Sequence, residues 1–520
     1  MRIGIDVGGT NTDAVLMDGP AVLAEIKTST TEDVTSGVVA ALRGLAKGRT
    51  FSPADIQAVM IGTTHFTNAI VEARRLAPTA AIRLGLPATQ ALPPMVDWPD
   101  RLRSAIGGHG YLCHGGNEFD GRSISDLRPD EIKRVAEMIG AAGVRSVAIS
   151  SVFSPVSADF EMQAADIVAG VLPDVHISLS HQIGRIGLLE RENATIVNAC
   201  LRDLADTIVD AFTSALATVG ISAPLYLSQN DGTLMDVEFT RKYPVATFAS
   251  GPTNSMRGAA LLSGLSDCAV VDIGGTTSDV GMLTRGFPRE AATEVDIGGV
   301  RSNFRMPDVL SIGIGGGSRV RGDSNPAIGP DSVGHQLTER ALVFGGDTLT
   351  ATDIIVAAGR ADIGDASLVR HLDRGLVTEA IARIADNVAE VVDRMRTSAE
   401  PVPVVIVGGG SILVPDTLPG FDQVHRPDHF AVANAIGAAI AQVGGEVDRI
   451  FAIGAQARDE VLDQAKAEAM DQAVAAGARP ESVQIVEVEE VPIAYLPGNA
   501  VRVRVKAVGD LEFAAAGGAA

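Results

Sequence analysis

The stretch IDVGGTNTDAVL, residues 5–16, recurs in altered form as VDIGGTTSDVGML, residues 271–283. In both copies an apolar run containing one acid enters a Gly-Gly turn and an alternating run leaves it, which predicts strand, tight turn, strand. We call residues 8–10 the first bend and residues 274–276 the second bend. Five aligned positions are identical: Asp6/Asp272, Gly8/Gly274, Gly9/Gly275, Thr10/Thr276 and Asp13/Asp279.

The chemistry of the bends favours anion binding. Paired glycines let the backbone approach a ligand closely, and successive N–H groups form a concave anion site. The acid before each turn repels a phosphate unless a cation lies between them, and Mg²⁺ binds carboxylate, water and phosphate oxygens. Two ordinary glycine hairpins are the alternative, which the repeated acid and hydroxyl argue against. The sequence contains no GxxxxGK[ST] motif, so the bends are not a P-loop.

Composition narrows the class of protein. Hydrophobic residues make up 46% and charged residues 20% of the 520 residues, which is typical of a chain with large cores. A net charge of −22 argues against nucleic acid and anionic membranes as partners. Three scattered cysteines favour a reducing compartment, and neither a signal peptide nor a membrane span is predicted. We therefore expect a cytoplasmic protein.

Strands and helices alternate in two halves, which predicts an α/β fold. We expect a first lobe over residues 1–189, with an irregular Pro- and Gly-rich insertion at about 76–130. A second lobe is expected over residues 190–447, opening with one long central helix at 190–220. Residues 448–520 change in character and predict a small α+β C-terminal domain.

Several motifs together resemble a known family. DVGGT, DIGGTT and VGGGS (407–411) resemble the two phosphate loops and the adenosine loop of the actin, sugar kinase and Hsp70 ATPase superfamily, and ANAIGAAIA (433–441) resembles its second connecting helix. Within that superfamily, the chain up to about residue 445 resembles the A subunit of the hydantoinase/oxoprolinase family. The motifs of that narrower match are GTTHFTNAIVE (62–72), LLERENATIVNACL (188–201), SQNDGTLM (228–235), FASGPTNSMRGA (248–259) and SIGIGGGS (311–318).

The resemblance implies two actin-like lobes around a nucleotide cleft, with ATP and Mg²⁺ as cofactors. Asp6 and Asp272 are implied on Mg²⁺ or its waters, as catalytic and metal-binding residues. Asp13 and Asp279 are implied either to brace the turns or to act as a general base. The implied nucleotide contacts are Gly8, Gly9, Thr10, Asn11 and Thr12, then Gly274, Gly275, Thr276 and Thr277, then Gly408, Gly409, Gly410 and Ser411.

The resemblance also implies substrate contacts at Thr63, Thr64 and Asn68, where N-capping of a helix is the alternative reading. For Gly315, Gly316 and Gly317 the alternatives are a substrate or phosphate contact and a flexible turn. The implied reaction is ATP-dependent opening of a cyclic amide such as a hydantoin, oxoproline or lactam, by phosphorylation of the carbonyl oxygen. A B-type subunit and an oligomer are implied as partners. A small-molecule kinase and a nucleotide-driven reactivase or chaperone remain alternatives.

Overall fold

The computed structural model describes residues 1–9, 11–30, 33–48, 51–291, 294–322, 325–440, 442–452, 458–493 and 500–513. Its strands are β1 (Arg2–Val7), β2 (Asn11–Asp18), β3 (Ala21–Ser29), β4 (Ala58–Thr63), β5 (Thr79–Leu86), β6 (His109–His114), β7 (Ser146–Ser151), β8 (His176–Leu179), β9 (Leu225–Ser228), β10 (Leu234–Asp236), β11 (Cys268–Ile273), β12 (Ser278–Thr284), β13 (Phe287–Pro288), β14 (Val295–Ile297), β15 (Val300–Ser302), β16 (Val309–Ile312), β17 (Ser318–Arg321), β18 (Ala327–Ser332), β19 (Val404–Val407), β20 (Val424–His425), β21 (Gln442–Ala452), β22 (Gln484–Pro492) and β23 (Ala500–Asp510).

The α-helices alternate with these strands, as predicted. They are α1 (Val34–Gly48), α2 (His65–Glu72), α3 (Asp100–Ala105), α4 (Pro129–Ala141), α5 (Asp159–Val171), α6 (Leu188–Cys200), α7 (Arg202–Thr218), α8 (Val237–Lys242), α9 (Ser250–Ser263), α10 (Leu337–Arg340), α11 (Ala351–Ala357), α12 (Arg374–Met395), α13 (Ala433–Ala438) and α14 (Arg458–Ala475). None of these helices is long and apolar enough to cross a membrane.

Two large sheets carry the bends. The first has nine strands in the order β22-β23-β21-β10-β9-β4-β1-β2-β3, and the second has the order β13-β12-β11-β19-β20 with β16 on β12. Ile3 and Ile5 of the first sheet and Val271 and Ile273 of the second are fully buried in separate apolar cores. Because the bends lie where β1 and β11 end, each sheet presents one bend at an edge.

The segment at 76–130 is more regular than expected. β5 and β6 join β7 and β8 in a four-stranded parallel sheet, with α4 and α5 packed on it. β5 reads TAAIRLGL, an almost continuously apolar strand, as burial on both faces requires. Its fully buried Arg83 is paired with the equally hidden Glu192 of α6, at 2.7 Å from Nε to Oε2. The irregular residues lie only between these elements.

The expected long helix at 190–220 is two helices, since α6 ends at Cys200 and α7 begins at Arg202. β9 pairs with β4 in parallel, so the first sheet extends past residue 190, the predicted end of the first lobe. Leu204 and Phe212 of α7 pack in the core of that sheet. About fifty residues that the sequence pattern placed in the second lobe therefore belong to the first sheet and the helices packed on it.

The C-terminal segment, predicted as a small α+β domain, adds its strands to the first sheet. β21 begins at Gln442, before the predicted boundary, and pairs along its whole length with β23. Val443 lies beside Leu234 of β10. The apolar face of α14, including Val461, joins a core that also contains Met60 of β4. A strand-rich tail with one apolar face is most stable where it adds to an existing sheet.

Candidate functional site

The first bend closes the β1–β2 hairpin. Asp6 lies opposite Asp13 in the antiparallel register, and the Gly8 N–H donates to the Asn11 carbonyl at 3.0 Å. A Cβ built on Gly9 meets no atom within 4 Å, so the backbone here faces open space. The buried Thr12 hydroxyl lies 3.2 Å from the Thr30 hydroxyl. Thr10, a predicted phosphate contact, lies outside the described residues.

The second bend repeats this geometry. Asp272 lies opposite Asp279, and the Gly274 N–H donates to the Thr277 carbonyl at 2.9 Å. Gly275, Thr276 and Thr277 are exposed, and a Cβ on Gly275 likewise meets nothing. The duplication seen in the sequence is therefore a duplication of backbone structure, down to the register of the acid pairs.

The correspondence extends to a third strand in each sheet. β4 runs parallel to β1 with Gly62 beside Asp6, and β19 runs parallel to β11. A Cβ on Gly62 would lie 2.4 Å from Asp6 Oδ1, and one on Gly408 would lie 2.2 Å from Asp272 Oδ1. The carboxylate of Asp6 thus fills the space that a side chain at position 62 would need, and the carboxylate of Asp272 does the same at position 408. This explains why both positions are glycine.

The two leading carboxylates are poorly solvated and interact with each other. Burial raises the pKa of Asp6 to about 6, with a further contribution from Asp13. Burial also raises the pKa of Asp272 to about 7; the neighbouring Asp279 and Asp6 charges act in the same direction, against the Ser255 hydrogen bond. Buried carboxylates of this kind favour a bound cation, because the positive charge offsets the solvation that each carboxylate lost on burial.

Helices α9 and α13 support these carboxylates from below. Asn254 Nδ2 lies 3.5 Å from Asp6 Oδ1, and Ser255 donates its hydroxyl to Asp272 Oδ2 at 2.5 Å. Asn434 Nδ2 lies 3.0 Å from Asp6 Oδ2 and 2.9 Å from Asp13 Oδ2. Hydrogen-bond donors on two helices thus fix the orientation of three acids.

The same two helices cross at glycines. A Cβ on Gly258 would lie 1.9 Å from the Ala433 carbonyl oxygen, and one on Gly437 would lie 1.8 Å from the Asn254 carbonyl oxygen. The small residues of α13 and α9 thus allow these two helices to cross closely.

Lys27 is a site residue that sequence reasoning missed. It lies opposite Asp13 on β3, and its Nζ lies 2.6 and 2.7 Å from the two Asp13 oxygens. A Cβ on Gly409 would lie 3.6 Å from Lys27 Cε, so the lysine reaches towards the loop after β19. The signal available in the sequence was a lone lysine in the run AVLAEIKT, residues 21–28.

The loop after β19 is built around the second bend. Gly408 has φ +86°, and the Gly410 N–H donates to the Ile273 carbonyl at 2.7 Å. Gly409 is exposed. Among the described residues, the buried Ser411 hydroxyl has no hydrogen-bond partner. The predicted nucleoside contacts Gly408 to Ser411 are thus brought to the second bend, with one polar atom unsatisfied.

Thr63, Thr64 and Asn68 lie beside the first bend. The Thr64 N–H and hydroxyl both lie within hydrogen-bond distance of the Val7 carbonyl, at 3.2 and 3.3 Å. Thr64 precedes α2 without making a side-chain cap, whereas the Thr63 hydroxyl accepts the N–H of His65, the first residue of α2, at 3.3 Å. The Thr63 hydroxyl lies 2.6 Å from Nδ1 of His65. Their role as substrate contacts stays a prediction.

Gly315, Gly316 and Gly317 are buried against the second bend. The N–H groups of Gly316 and Gly317 donate to the carbonyls of Gly274 and Gly275, at 3.1 and 2.7 Å. A Cβ on Gly315 would lie 2.5 Å from the Thr276 nitrogen. The loop therefore holds the bend in place and is not a loosely attached turn; substrate contact by these glycines stays a prediction.

The donor set fits a hard divalent cation such as Mg²⁺. Asp6 and Asp272 supply two buried or half-buried carboxylates from opposite lobes, and Mg²⁺ characteristically takes one or two carboxylates together with water and phosphate oxygens. Among the described residues no three His, Cys, Asp or Glu side chains form a self-sufficient metal cluster. In this arrangement Asp13 and Asp279 accept hydrogen bonds from Lys27 and from Ser311, respectively.

Comparison with known proteins identifies the family. The model of the hydantoinase/oxoprolinase N-terminal region matches residues 2–172, and the hydantoinase/oxoprolinase model matches residues 191–400. The chain belongs to the hydantoinase/oxoprolinase family. This confirms the resemblance drawn from the motifs of both halves.

Two relatives of this hydantoinase/oxoprolinase chain are named as enzyme subunits. Caprolactamase subunit alpha of Pseudomonas jessenii is 27% identical over 472 residues, covering 84% of this chain and 65% of that protein. Acetophenone carboxylase gamma subunit of Aromatoleum aromaticum is 26% identical over 398 residues, covering 69% of this chain and 53% of that protein. The chain thus spans less than two thirds of either relative.

Two solved structures show the same fold. The crystal structure of the ATP-dependent caprolactamase from Pseudomonas jessenii has a TM-score of 0.77 at 19% identity, covering 98% of this chain and 87% of that one. The nucleotide-free structure of acetone carboxylase has a TM-score of 0.69 at 16% identity, covering 99% and 88%. The predicted α/β class is confirmed, and the fold is shared with these two enzymes.

Proposed function

We propose that the chain is the ATP-binding subunit of an enzyme that opens a cyclic amide at the expense of ATP. One observation carries the proposal: two glycine bends of identical register, each led by a carboxylate, are held side by side by consecutive residues of α9. Relatives named for ATP-dependent lactam opening and for ketone carboxylation support it.

Each part of the site has a task in this reaction. The open backbones of Gly9 and Gly275 bind phosphate oxygens, while Asp6 and Asp272 hold Mg²⁺. The bound metal neutralises charge on the phosphates and on the group being transferred. Lys27 adds a positive charge beside the loop that contains Gly409. Gly409, Gly410 and Ser411 of this loop contact the nucleoside. Charge neutralisation and positioning are what phosphoryl transfer chiefly requires.

Phosphoryl transfer makes the amide reactive. The bond between the γ-phosphorus and ADP breaks as the amide oxygen attacks phosphorus, and the amide nitrogen loses its proton. Water adds to the resulting phosphorylated carbon, the ring C–N bond breaks, and the amine takes up a proton. A second water converts the acyl phosphate to carboxylate and phosphate. We propose that a B-type partner subunit completes the oligomeric enzyme, as the subunit names of the relatives suggest.

The decisive experiment measures ADP, phosphate and ring-opened acid with a panel of hydantoins, oxoproline and lactams, with and without a B-type subunit. Asp272→Asn is expected to lower phosphate release at least about 100-fold, while Asp422→Asn, an exposed acid of the same lobe, leaves it unchanged. A phosphorylated product would identify a kinase instead. ATPase activity stimulated only by a protein partner would identify a reactivase or chaperone.

A further inference from the structure

A second feature of the molecule is a cavity of about 940 Å³ beside the carboxylate site. β9 runs parallel to β4, so Gln229 at its end lies at the same sheet edge as Thr63. The cavity lining includes Gln229 and Asn230, but none of the leading acids of the bends. The Asn230 carbonyl accepts a hydrogen bond from Thr253 at 3.0 Å, and Thr253 precedes the residue that contacts Asp6. Helix α9 thus links the cavity lining at Asn230 to the residues that contact the two acids.

His181 lines this cavity and is oriented by a buried carboxylate. Its Nδ1 lies 2.7 Å from Glu161 Oε2, and Glu161 is fully buried. Glu161 also accepts from the N–H groups of Ser151 and His181 at 2.8 and 3.0 Å, and from the Ser180 hydroxyl at 2.5 Å. Burial alone would raise the pKa of Glu161, but these hydrogen bonds outweigh it and hold that pKa below its ordinary value.

An ionised Glu161 requires a donor, so Nδ1 carries the proton and Nε2 is left as the basic nitrogen. No described residue makes a hydrogen bond to Nε2. A ring nitrogen that is free to accept a proton, fixed by a carboxylate and facing a cavity, is the arrangement of a general base.

Arg185 adds an anion-binding group to the same cavity. Its nearest acid is Glu290, at 3.5 Å from Nη2, and its Nε is buried without a hydrogen-bond partner among the described residues. The lining also includes the apolar side chains of Phe304 and Val245, along with further charged residues of both signs, such as Asp448 and Arg502. A ligand with an apolar ring and a carboxylate matches this lining, because the guanidinium binds carboxylates in a fixed planar geometry.

We propose that this cavity binds the acceptor, a cyclic amide bearing a carboxylate, and that His181 is the general base for its hydrolysis. Arg185 binds the carboxylate, and Glu161 is a positioning residue that holds the tautomer of His181. His181 Nε2 takes the proton of the water that adds to the phosphorylated amide carbon, and returns it to the ring nitrogen as the C–N bond breaks. This inference rests on the proposed function.

The test follows one turnover by rapid quench with ATP and oxoproline. His181→Gln is expected to form ADP as fast as the wild type but to release the ring-opened amino acid about 100-fold more slowly. Glu161→Gln should show the same split more weakly. His335→Gln, at an exposed histidine outside the cavity, should match the wild type in both steps. Ring opening by His181→Gln at the wild-type rate would overturn the assignment.

Arg185 is tested through specificity. Arg185→Gln is expected to raise the KM for oxoproline about tenfold and to leave that for caprolactam, which lacks a carboxylate, unchanged. An equal change for both amides would overturn the role of Arg185. If the wild type forms no ADP with any amide, the proposed function fails. The cavity is then judged by calorimetric titration of oxoproline alone: binding that Arg185→Gln abolishes supports the site, and absence of binding refutes it.

Discussion

Asn254 and Ser255 are consecutive residues of α9, yet their side chains contact carboxylates of two different sheets, Asp6 and Asp272. Successive side chains on a helix point about 100° apart, so one peptide unit is enough to reach both lobes. The two acids therefore occupy one electrostatic environment, and their charges must be considered together.

The first prediction concerns stability and pH. The pKa values of about 6 for Asp6 and about 7 for Asp272 lie above the ordinary value for an aspartate, so the native state binds these two protons more tightly than the unfolded state does. The contribution of this proton binding to the stability of the native state is therefore complete at low pH. It is lost as the pH rises through 6 and 7. Without nucleotide or metal, the advantage of Asp272→Asn over the wild type in free energy of unfolding should grow by about 1–3 kcal/mol between pH 5 and 8. Urea titrations in a chelator measure this; a shrinking advantage would refute it.

The second prediction concerns Lys27, which is about one-third exposed while Asp13 is nearly hidden. Lys27→Met leaves Asp13 beside Asp6 without a cation, and should lower the free energy of unfolding by about 1–3 kcal/mol. Adding Asp13→Asn removes the unpaired charge and should recover most of the loss. A double-mutant cycle in urea gives the coupling energy. Purely additive effects would show that the pair is not coupled.

The third prediction concerns the crossing of α9 and α13. Gly258→Ala places a methyl group 1.9 Å from the Ala433 carbonyl oxygen, which backbone movement must relieve. We expect a loss of about 2–4 kcal/mol in free energy of unfolding, together with weaker contacts to Asp6 and Asp272. Gly251→Ala is the matched control, since it lies on the same helix with nothing within 4 Å of the added atom. The control should be neutral or slightly stabilising.

The fourth prediction concerns the C-terminal strands. A chain ending at residue 447 loses β23 and α14, and so exposes Met60 and Val443 of the shared core. We expect it to be insoluble or unfolded by circular dichroism, whereas a chain ending at Phe513 keeps every described strand and should fold. A soluble, folded 1–447 chain would restore the view of residues 448–520 as an independent domain.

The sequence predicted the parts of the site that local rules determine. A Gly-Gly turn after an acid-bearing strand specifies the hairpin and hence the pairing of Asp6 with Asp13, because register follows from turn length. The recurrence of that pattern at Asp272 predicted the second hairpin in the same way.

Long-range pairing was not available from local rules. Whether β9 adds to β4, or β21 to β10, depends on which edges are free once the sheet has formed. Lys27 was missed because its partner Asp13 lies on the neighbouring strand β2. The alternating sequence of β3 does not indicate that the acid opposite Lys27 is buried. Arg83 similarly looks out of place in β5 until Glu192, over one hundred residues away, supplies its charge partner.

The presence of β1 and β23 in one sheet has a consequence for biosynthesis. A ribosome must release residue 510 before the final strand next to β21 can form. At ordinary elongation rates, synthesis from the end of β10 to residue 510 takes about 14–55 s, during which the sheet has an incomplete edge. Until β21 is made, the free edge of β10 is open to pairing with another nascent chain, and a holding chaperone is expected to raise the yield of soluble protein.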